Sequence, residues 1–203
     1  MSTKLTEIRV AGFGGQGVIL AAMVIGKAYA VYEGGFATLT QSFGPEARGG
    51  ACAAQVITSD TPVLYPYVSE PDILVVMSQE ACTKFVPSLK PGGILIVEQD
   101  MVQVQDLKPG VRLYACPATS LAEELGKRMV LNIVMVGFFA AVSGICKPES
   151  LRQAVADSVP EAFRDLNMKA FDKGFECGKQ KLASFPNGED LAKTSSASAL
   201  QTV

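Results

Sequence analysis

EIRVAGFGGQGV, residues 7–18, opens as a short strand from Glu7 to Ala11 and runs directly into a glycine turn, Gly12-Phe13-Gly14-Gly15-Gln16-Gly17. Val18 to Tyr32 then carries the Ala, Met and Ile content of a buried helix. Strand, glycine turn and helix stand in the order in which Gly12, Gly14 and Gly17 satisfy G-x-G-x-x-G. Small residues there let a ligand approach the amides, and the helix dipole favours an anion such as phosphate or pyrophosphate. Gly34-Gly35 ends the helix, because glycine accepts the left-handed conformation of a C-cap, and Phe36 to Phe43 returns as a second strand. The unit reads as βαβ.

The next connection makes the fold unusual. Gly44-Pro45-Glu46-Ala47-Arg48-Gly49-Gly50 spans only seven residues before Ala51 to Thr58 resumes a strand. A parallel crossover needs a dozen or more, so the second and third strands are expected to run antiparallel. A dinucleotide-binding domain would place another helix at this point. Downstream, Asp72 to Met77, Gln79 to Phe85 and Ile94 to Glu98 read as strand, helix and strand, joined through Lys90-Pro91-Gly92-Gly93. Val111 to Cys116 alternates as a further strand, and Ser120 with Glu123 forms a candidate capping box for a helix reaching Lys127.

Helices follow. Met129 to Cys146 is apolar all round and is read as a helix packed on every side rather than a membrane span, since Asn132, Gly137, Ser143 and Gly144 interrupt it. Lys147-Pro148-Glu149 starts another helix. Pro160-Glu161 starts a last one, in which Phe163, Leu166, Phe171, Phe175 and Leu182 recur near helical spacing. The expectation is a Rossmann-like three-layer α/β domain over residues 1–185, with a mixed, mainly parallel sheet and C-terminal helices. Residues 186–203 lack a hydrophobic period and are expected to form a flexible tail, or an arm ordered by a partner.

Composition narrows the chemistry. The chain has 203 residues, 48% of them hydrophobic, and a net charge of −2, so it has core enough to fold and no electrostatic drive toward nucleic acid. No histidine occurs, which removes Ser-His-Asp and Cys-His catalysis together with the commonest metal ligand. The five cysteines, Cys52, Cys82, Cys116, Cys146 and Cys177, form no CxxC pair for zinc or an iron–sulfur cluster. Their odd number, without a signal segment, points to reduced thiols in the cytoplasm.

The candidate site residues are therefore Gly12, Gly14, Gly15, Gln16 and Gly17 on the first loop and Arg48 on the second, with no catalytic and no metal-ligating residue assigned. The glycines serve either an anion or partner backbone docked on their amides, or simply tight strand-to-helix packing with Gln16 as a solvent-facing filler. Arg48 can fork onto a carboxylate or phosphate, or pair with Glu46. The end of the second strand, Gln41-Ser42-Phe43-Gly44, offers no acid for a ribose, and Glu33 falls at the helix end instead.

The two loops together, GFGGQGV at 12–18 and QSFGPEARGG at 41–50, resemble the gamma subunit of the 2-oxoacid:ferredoxin oxidoreductases. The Pro71-Asp72-Ile73-Leu74 strand start, the Lys90 to Gly93 turn and the Asn132 to Gly137 helix agree with it, over roughly residues 5–185. The resemblance implies a fold like domain III of pyruvate:ferredoxin oxidoreductase. It also implies alpha and beta partner subunits, with or without a delta, that hold thiamine diphosphate, magnesium and iron–sulfur clusters, and ferredoxin as electron acceptor of the complex. This chain alone would bind none of those cofactors, and coenzyme A stands as a candidate contact of its glycine loop and Arg48. GPEARGG is similar to the 2-oxoglutarate branch, where pyruvate-type chains more often show Glu-Arg-Arg-Gly. The readings from other classes are a stand-alone nucleotide-binding protein and an assembly module without a small ligand.

Overall fold

The computed structural model describes residues 5–42 and 51–188. Its centre is β1 (Leu5–Phe13), which pairs antiparallel with β3 (Ala51–Ser59) along its whole length, Leu5 opposite Ser59 and Phe13 opposite Ala51. On its other side β1 runs parallel with β4 (Ile73–Val76), and β5 (Ile94–Glu98) and β6 (Arg112–Cys116) continue the parallel half. With β2 (Phe36–Ser42) antiparallel to β3, the order is β2-β3-β1-β4-β5-β6. The mixed, mainly parallel sheet expected from the short return is present.

The first unit differs from a βαβ of adjacent strands: β1 and β2 share a direction, but β3 lies between them. Burial decides who takes the inner place. Eight of the nine β3 residues are buried, whereas β2 is half-exposed along its length and is tolerated only at an edge.

Alternation divides the strands between two cores. Ile8, Val10, Val56, Ile73, Val75, Ile96 and Tyr114 face one side, which is covered by α1 (Val18–Lys27), α3 (Ala118–Glu124), α4 (Leu131–Ser143), α5 (Pro148–Ala156) and α6 (Arg164–Ser184). Ala11, Leu74, Val76, Leu95, Val97 and Leu113 face the other, against α2 (Gln79–Phe85) and residues 101–107. Three layers result, with most of the helices on one face. Buried on the α2 side, the Arg9 guanidinium donates to Ser88 Oγ at 2.7 Å and to the Val68 carbonyl at 2.6 Å and lies over the Phe85 ring. It ties the connection between β3 and β4 to the sheet.

α4 is buried around nearly its whole circumference, as an apolar helix with no polar face must be. Its main cover is α6, and the two backbones meet through glycine: Gly137 on α4 against Phe171, and Gly174 and Gly178 on α6 against Val134 and Phe138. Phe171 is buried, and Leu166, Phe175 and Leu182 pack on the core as their spacing predicts. Phe163 does not; it stands half exposed in the short turn before α6, so the apolar stripe begins at Leu166. No helix among the described residues is long and apolar enough to cross a membrane.

α1 ends in one wide turn over Ala28–Tyr32, and Gly34, at φ 74°, turns the chain back toward β2. The expected capping box at Ser120 and Glu123 is absent. α3 begins three residues earlier than that box would start it, and its first turn is held by two carboxylates from the end of β5: Glu98 Oε1 accepts from the Thr119 amide at 2.9 Å, and Asp100 accepts from both the Ser120 amide and its hydroxyl. A tertiary cap made the local one unnecessary. Beyond α6, the Tyr114 hydroxyl donates to the Pro186 carbonyl at 3.1 Å, so residues 186–188 run beside β6. The remaining tail, residues 189–203, lies outside the described residues.

Candidate functional site

The carboxyl ends of β1 and β4 meet where the chain leaves the sheet in opposite directions, to α1 on one face and α2 on the other. Such a switch point opens a crevice that strands themselves cannot fill. The first glycine loop forms its rim. Gln16 is no surface filler: its Oε1 accepts from the Phe13 amide at 2.6 Å and its Nε2 donates to the Met77 carbonyl at 2.8 Å, fastening the turn to the end of β4.

The glycines divide into two kinds. At Gly12 a Cβ would run into Gln16, Met77 and Val18, and at Gly17, where φ is 73°, it would collide with the Asn132 amide. Those two serve packing; Asn132 Nδ2 donates to the Gly17 carbonyl at 3.3 Å and locks α4 against the loop. Gly14 and Gly15 have open space on the side where a Cβ would lie, and both are exposed. Gly15 needs its φ of 100°, whereas nothing in the packing requires Gly14. No side chain caps the start of α1.

The opening is a cavity of about 410 Å³ lined by Phe13, Gly15, Gln16, Met101, Arg128, Met129 and Leu131. Arg128 is its cation. The guanidinium approaches Met101 Sδ at 3.9 Å and forms no ion pair among the described residues, which leaves its donors available to a carboxylate or phosphate. Sequence reading missed Arg128 because it stands 111 residues beyond Gly17 and is brought over by the turn between α3 and α4.

Beyond Met101 lies a larger cleft of about 770 Å³ between α2 and residues 99–108, lined by Gln79, Gln99, Asp100, Gln103, Asp106 and Lys108 among others. It has no glycine amide, and its two carboxylates disfavour an anion. The smaller cavity therefore carries the candidate site. Glu98, fully buried at the end of β5, keeps one oxygen without a partner, as does the Thr119 hydroxyl.

Arg48 and the rest of Gly44 to Gly50 lie outside the described residues. Their anchors do not: Ala51 is paired with Phe13, so the second loop enters β3 beside the start of the first. The Ala51 amide donates to Glu80 of α2 at 3.3 Å. Glu33, just beyond the wide turn that ends α1, is spent on α5, where Oε1 accepts from the Lys147 amide and the Ser150 hydroxyl. The Ser150 bond, helped by Lys147, holds its carboxyl below the ordinary range. At α-helical rise it stands some 20 Å from the glycine loop, out of reach of a ribose bound there.

The arrangement can hold and cover an anionic group, but it presents no nucleophile with an adjacent base. Among the described residues, no cluster of three or more Cys, Asp or Glu side chains could hold a metal.

Comparison with known proteins gives three findings. Residues 7–177 match the pyruvate ferredoxin/flavodoxin oxidoreductase family. The 2-oxoglutarate synthase subunit KorC of Methanocaldococcus jannaschii is 44% identical over 176 residues, covering 86% of this chain and 94% of that protein. Among solved structures, the gamma subunit of a keto/oxoacid ferredoxin oxidoreductase from Geobacter sulfurreducens superposes with a TM-score of 0.79 at 39% identity, over 86% of this chain and 97% of that one. The 2-oxoglutarate:ferredoxin oxidoreductase from Magnetococcus marinus, solved with 2-oxoglutarate, coenzyme A and succinyl-CoA bound, superposes at 0.78 and 26% identity. It takes in 87% of this chain but only 31% of its own.

Proposed function

The chain belongs to the pyruvate ferredoxin/flavodoxin oxidoreductase family, and on that premise we propose that it is the gamma subunit of a 2-oxoglutarate:ferredoxin oxidoreductase. The complex would convert 2-oxoglutarate and coenzyme A to the acyl-CoA and carbon dioxide, passing two electrons to ferredoxin. The observation that carries this reading is the nearly full-length match to a separate 2-oxoglutarate synthase subunit. The cavity adds groups suited to an anion, the Gly15 backbone and the Arg128 guanidinium.

In the proposed assembly, alpha and beta subunits, with or without a delta, hold thiamine diphosphate, magnesium and the iron–sulfur clusters, and the complex works in the cytoplasm. Thiamine diphosphate supplies the carbanion chemistry of decarboxylation. This chain contributes binding and coverage. Gly15 offers unobstructed backbone at the cavity with Gly14 exposed beside it, Arg128 offers a fork for a carboxylate or a coenzyme A phosphate, and Gln16 fastens the loop through Phe13 and Met77. Arg48, on the loop that enters β3 beside Phe13, would add a second cation. Exposed apolar side chains at Met23, Val31 and Phe36, on α1, the wide turn after it and the β2 edge, suit a subunit interface.

A stand-alone dinucleotide-binding role is disfavoured, because β2 ends in Gln41 and Ser42 and Glu33 caps α5. Tagged chain purified from native lysate should bring down larger subunits with thiamine diphosphate and iron–sulfur absorbance. In that complex, Arg128→Gln should raise KM for coenzyme A or 2-oxoglutarate about tenfold, the loss of one charge-assisted contact. A solitary, colourless product, or an Arg128→Gln complex with both Michaelis constants unchanged, refutes the assembly or the site respectively.

A further inference from the structure

Gln16 and Arg128 come from different loops, and both aim a nitrogen at one sulfur. The Gln16 Oε1 is taken by the Phe13 amide, and one Nε2 hydrogen goes to the Met77 carbonyl. The same Nε2 has a second hydrogen to place and stands 3.8 Å from Met101 Sδ. A terminal nitrogen of Arg128 donates to that sulfur at 3.9 Å and has no other partner among the described residues. A thioether is a weak acceptor, so two capable donors are answered by a poor one.

Met101 is held in place from both sides. Asp100 before it accepts from the Ser120 amide and hydroxyl. Two residues beyond it, the Gln103 amide donates to Gln79 Oε1 at 2.7 Å and Gln79 Nε2 donates to the Gln103 carbonyl at 3.1 Å. The Met101 side chain is half-buried and lines both the 410 Å³ cavity and the 770 Å³ cleft, so a small oxidant reaches it from either side. Met77 and Met135 are buried, while Met23 and Met129 are exposed without a donor on their sulfurs.

We propose that Met101 is a modification site, where a hydroperoxide converts the thioether to a sulfoxide whose oxygen captures the donors of Gln16 and Arg128. The sulfur lone pair attacks a peroxide oxygen, the O–O bond breaks, and the departing hydroxide takes the proton of the transferred oxygen and leaves as water. Sulfur is oxidised by two electrons and the peroxide is reduced by two. The donors beside the sulfur stabilise the charge of the departing hydroxide. An oxygen on the side facing them shortens the gaps of 3.8 and 3.9 Å toward ordinary N–H···O length. The Arg128 guanidinium then has a strong acceptor inside the chain and is withdrawn from an anion in the cavity. Methionine sulfoxide reductase, with a thiol as reductant, restores the thioether.

The test compares the full chain, treated with excess hydrogen peroxide, with Met101→Leu, which keeps the exposed Met23 and Met129 but has no sulfur at 101. Trypsin passes Lys90 and Lys108, each before proline, and releases residues 85–112 with Met101 as their only methionine. That peptide should gain one oxygen, which the reductase removes. Phenylglyoxal should then modify Arg128 at least about tenfold more slowly, the effect of one charge-assisted hydrogen bond. In Met101→Leu, peroxide should leave that rate unchanged. Arg128 equally reactive after Met101 is oxidised, the same slowing in Met101→Leu, or residues 85–112 left without oxygen would each overturn the proposal. The consequence for catalysis rests on reading Arg128 as an anion fork: in the assembled complex, oxidation should raise the same Michaelis constant that Arg128→Gln raises. Arg128 shielded by the sulfoxide while Arg128→Gln leaves both constants unchanged supports the modification and refutes that reading alone.

Discussion

Alanine at Gly174 and alanine at Gly26 should move stability in opposite directions, although both sites are interior helical glycines. In an open helix the exchange gains about 1 kcal/mol, because alanine has less backbone freedom to lose. At Gly26 on α1 the new methyl would lie 3.5 Å from Val56 Cγ1 and 3.8 Å from Ala37 Cβ, ordinary contact distances. The full gain is expected there, a melting temperature higher by about 2–4 °C for a chain of this size. At Gly174 the methyl would lie 2.8 Å from the Val134 carbonyl carbon, closer still to its oxygen, and 3.0 Å from Val134 Cα. Those are backbone atoms of α4, which cannot rotate away, so α6 must retreat by about 1 Å along a well-packed face. Overpacking of that kind costs about 1–3 kcal/mol, and the backbone obstacle argues for the upper end. After the propensity gain the net loss is about 2 kcal/mol, or about 4–8 °C. Far-UV circular dichroism melts suit the measurement, as the chain has no tryptophan. A Gly174→Ala protein as stable as the parent would refute the close approach of α4 and α6.

Gln16→Ala leaves the Phe13 amide and the Met77 carbonyl without partners, and urea unfolding should show about 1–3 kcal/mol less stability. Gly14→Ala, with open space around it, should leave the folding stability within about 0.5 kcal/mol of the parent while weakening the assembled enzyme's substrate binding. Gly17→Ala, strained at φ 73° and blocked by Asn132, should destabilise the fold itself. Alkylation of Cys177 by iodoacetamide should rise with pH through about 7 and then level off, since its depressed thiol is already ionised above that point. Cys116→Ser should move the half-point upward, and a parent rate still climbing tenfold per unit between pH 8 and 9 would contradict the lowered thiol.

Much of the architecture was legible because a chain of seven residues between Phe43 and Ala51 cannot hold a crossover helix; antiparallel pairing of β2 with β3 followed from length alone. The insertion of β3 between β1 and β2 was not legible, since both arrangements satisfy the same direction rule and only total burial of β3 separates them. Local motifs misled where distant groups did the same work: Glu98 and Asp100 replaced the capping box at Ser120, and the Gln16 amide reads as a loop residue until Met77 is known to stand beside it. In the first loop, glycine spacing could not tell the packing glycines, Gly12 and Gly17, from the open ones, Gly14 and Gly15. Arg128 has no local signature at all.

The placement of β3 also sets an order of assembly. Eight residues separate Ser42 from Ala51, but thirty-seven separate Phe13 from it. Closing the longer span first would cost about 1 kcal/mol more entropy than closing the shorter one. The β2–β3 hairpin is therefore the cheaper nucleus, and β1, although made earlier on the ribosome, waits for a template that emerges after it. Once docked, β1 offers its far edge to β4, with which it pairs in parallel, so this one strand joins the antiparallel half of the sheet to the parallel half.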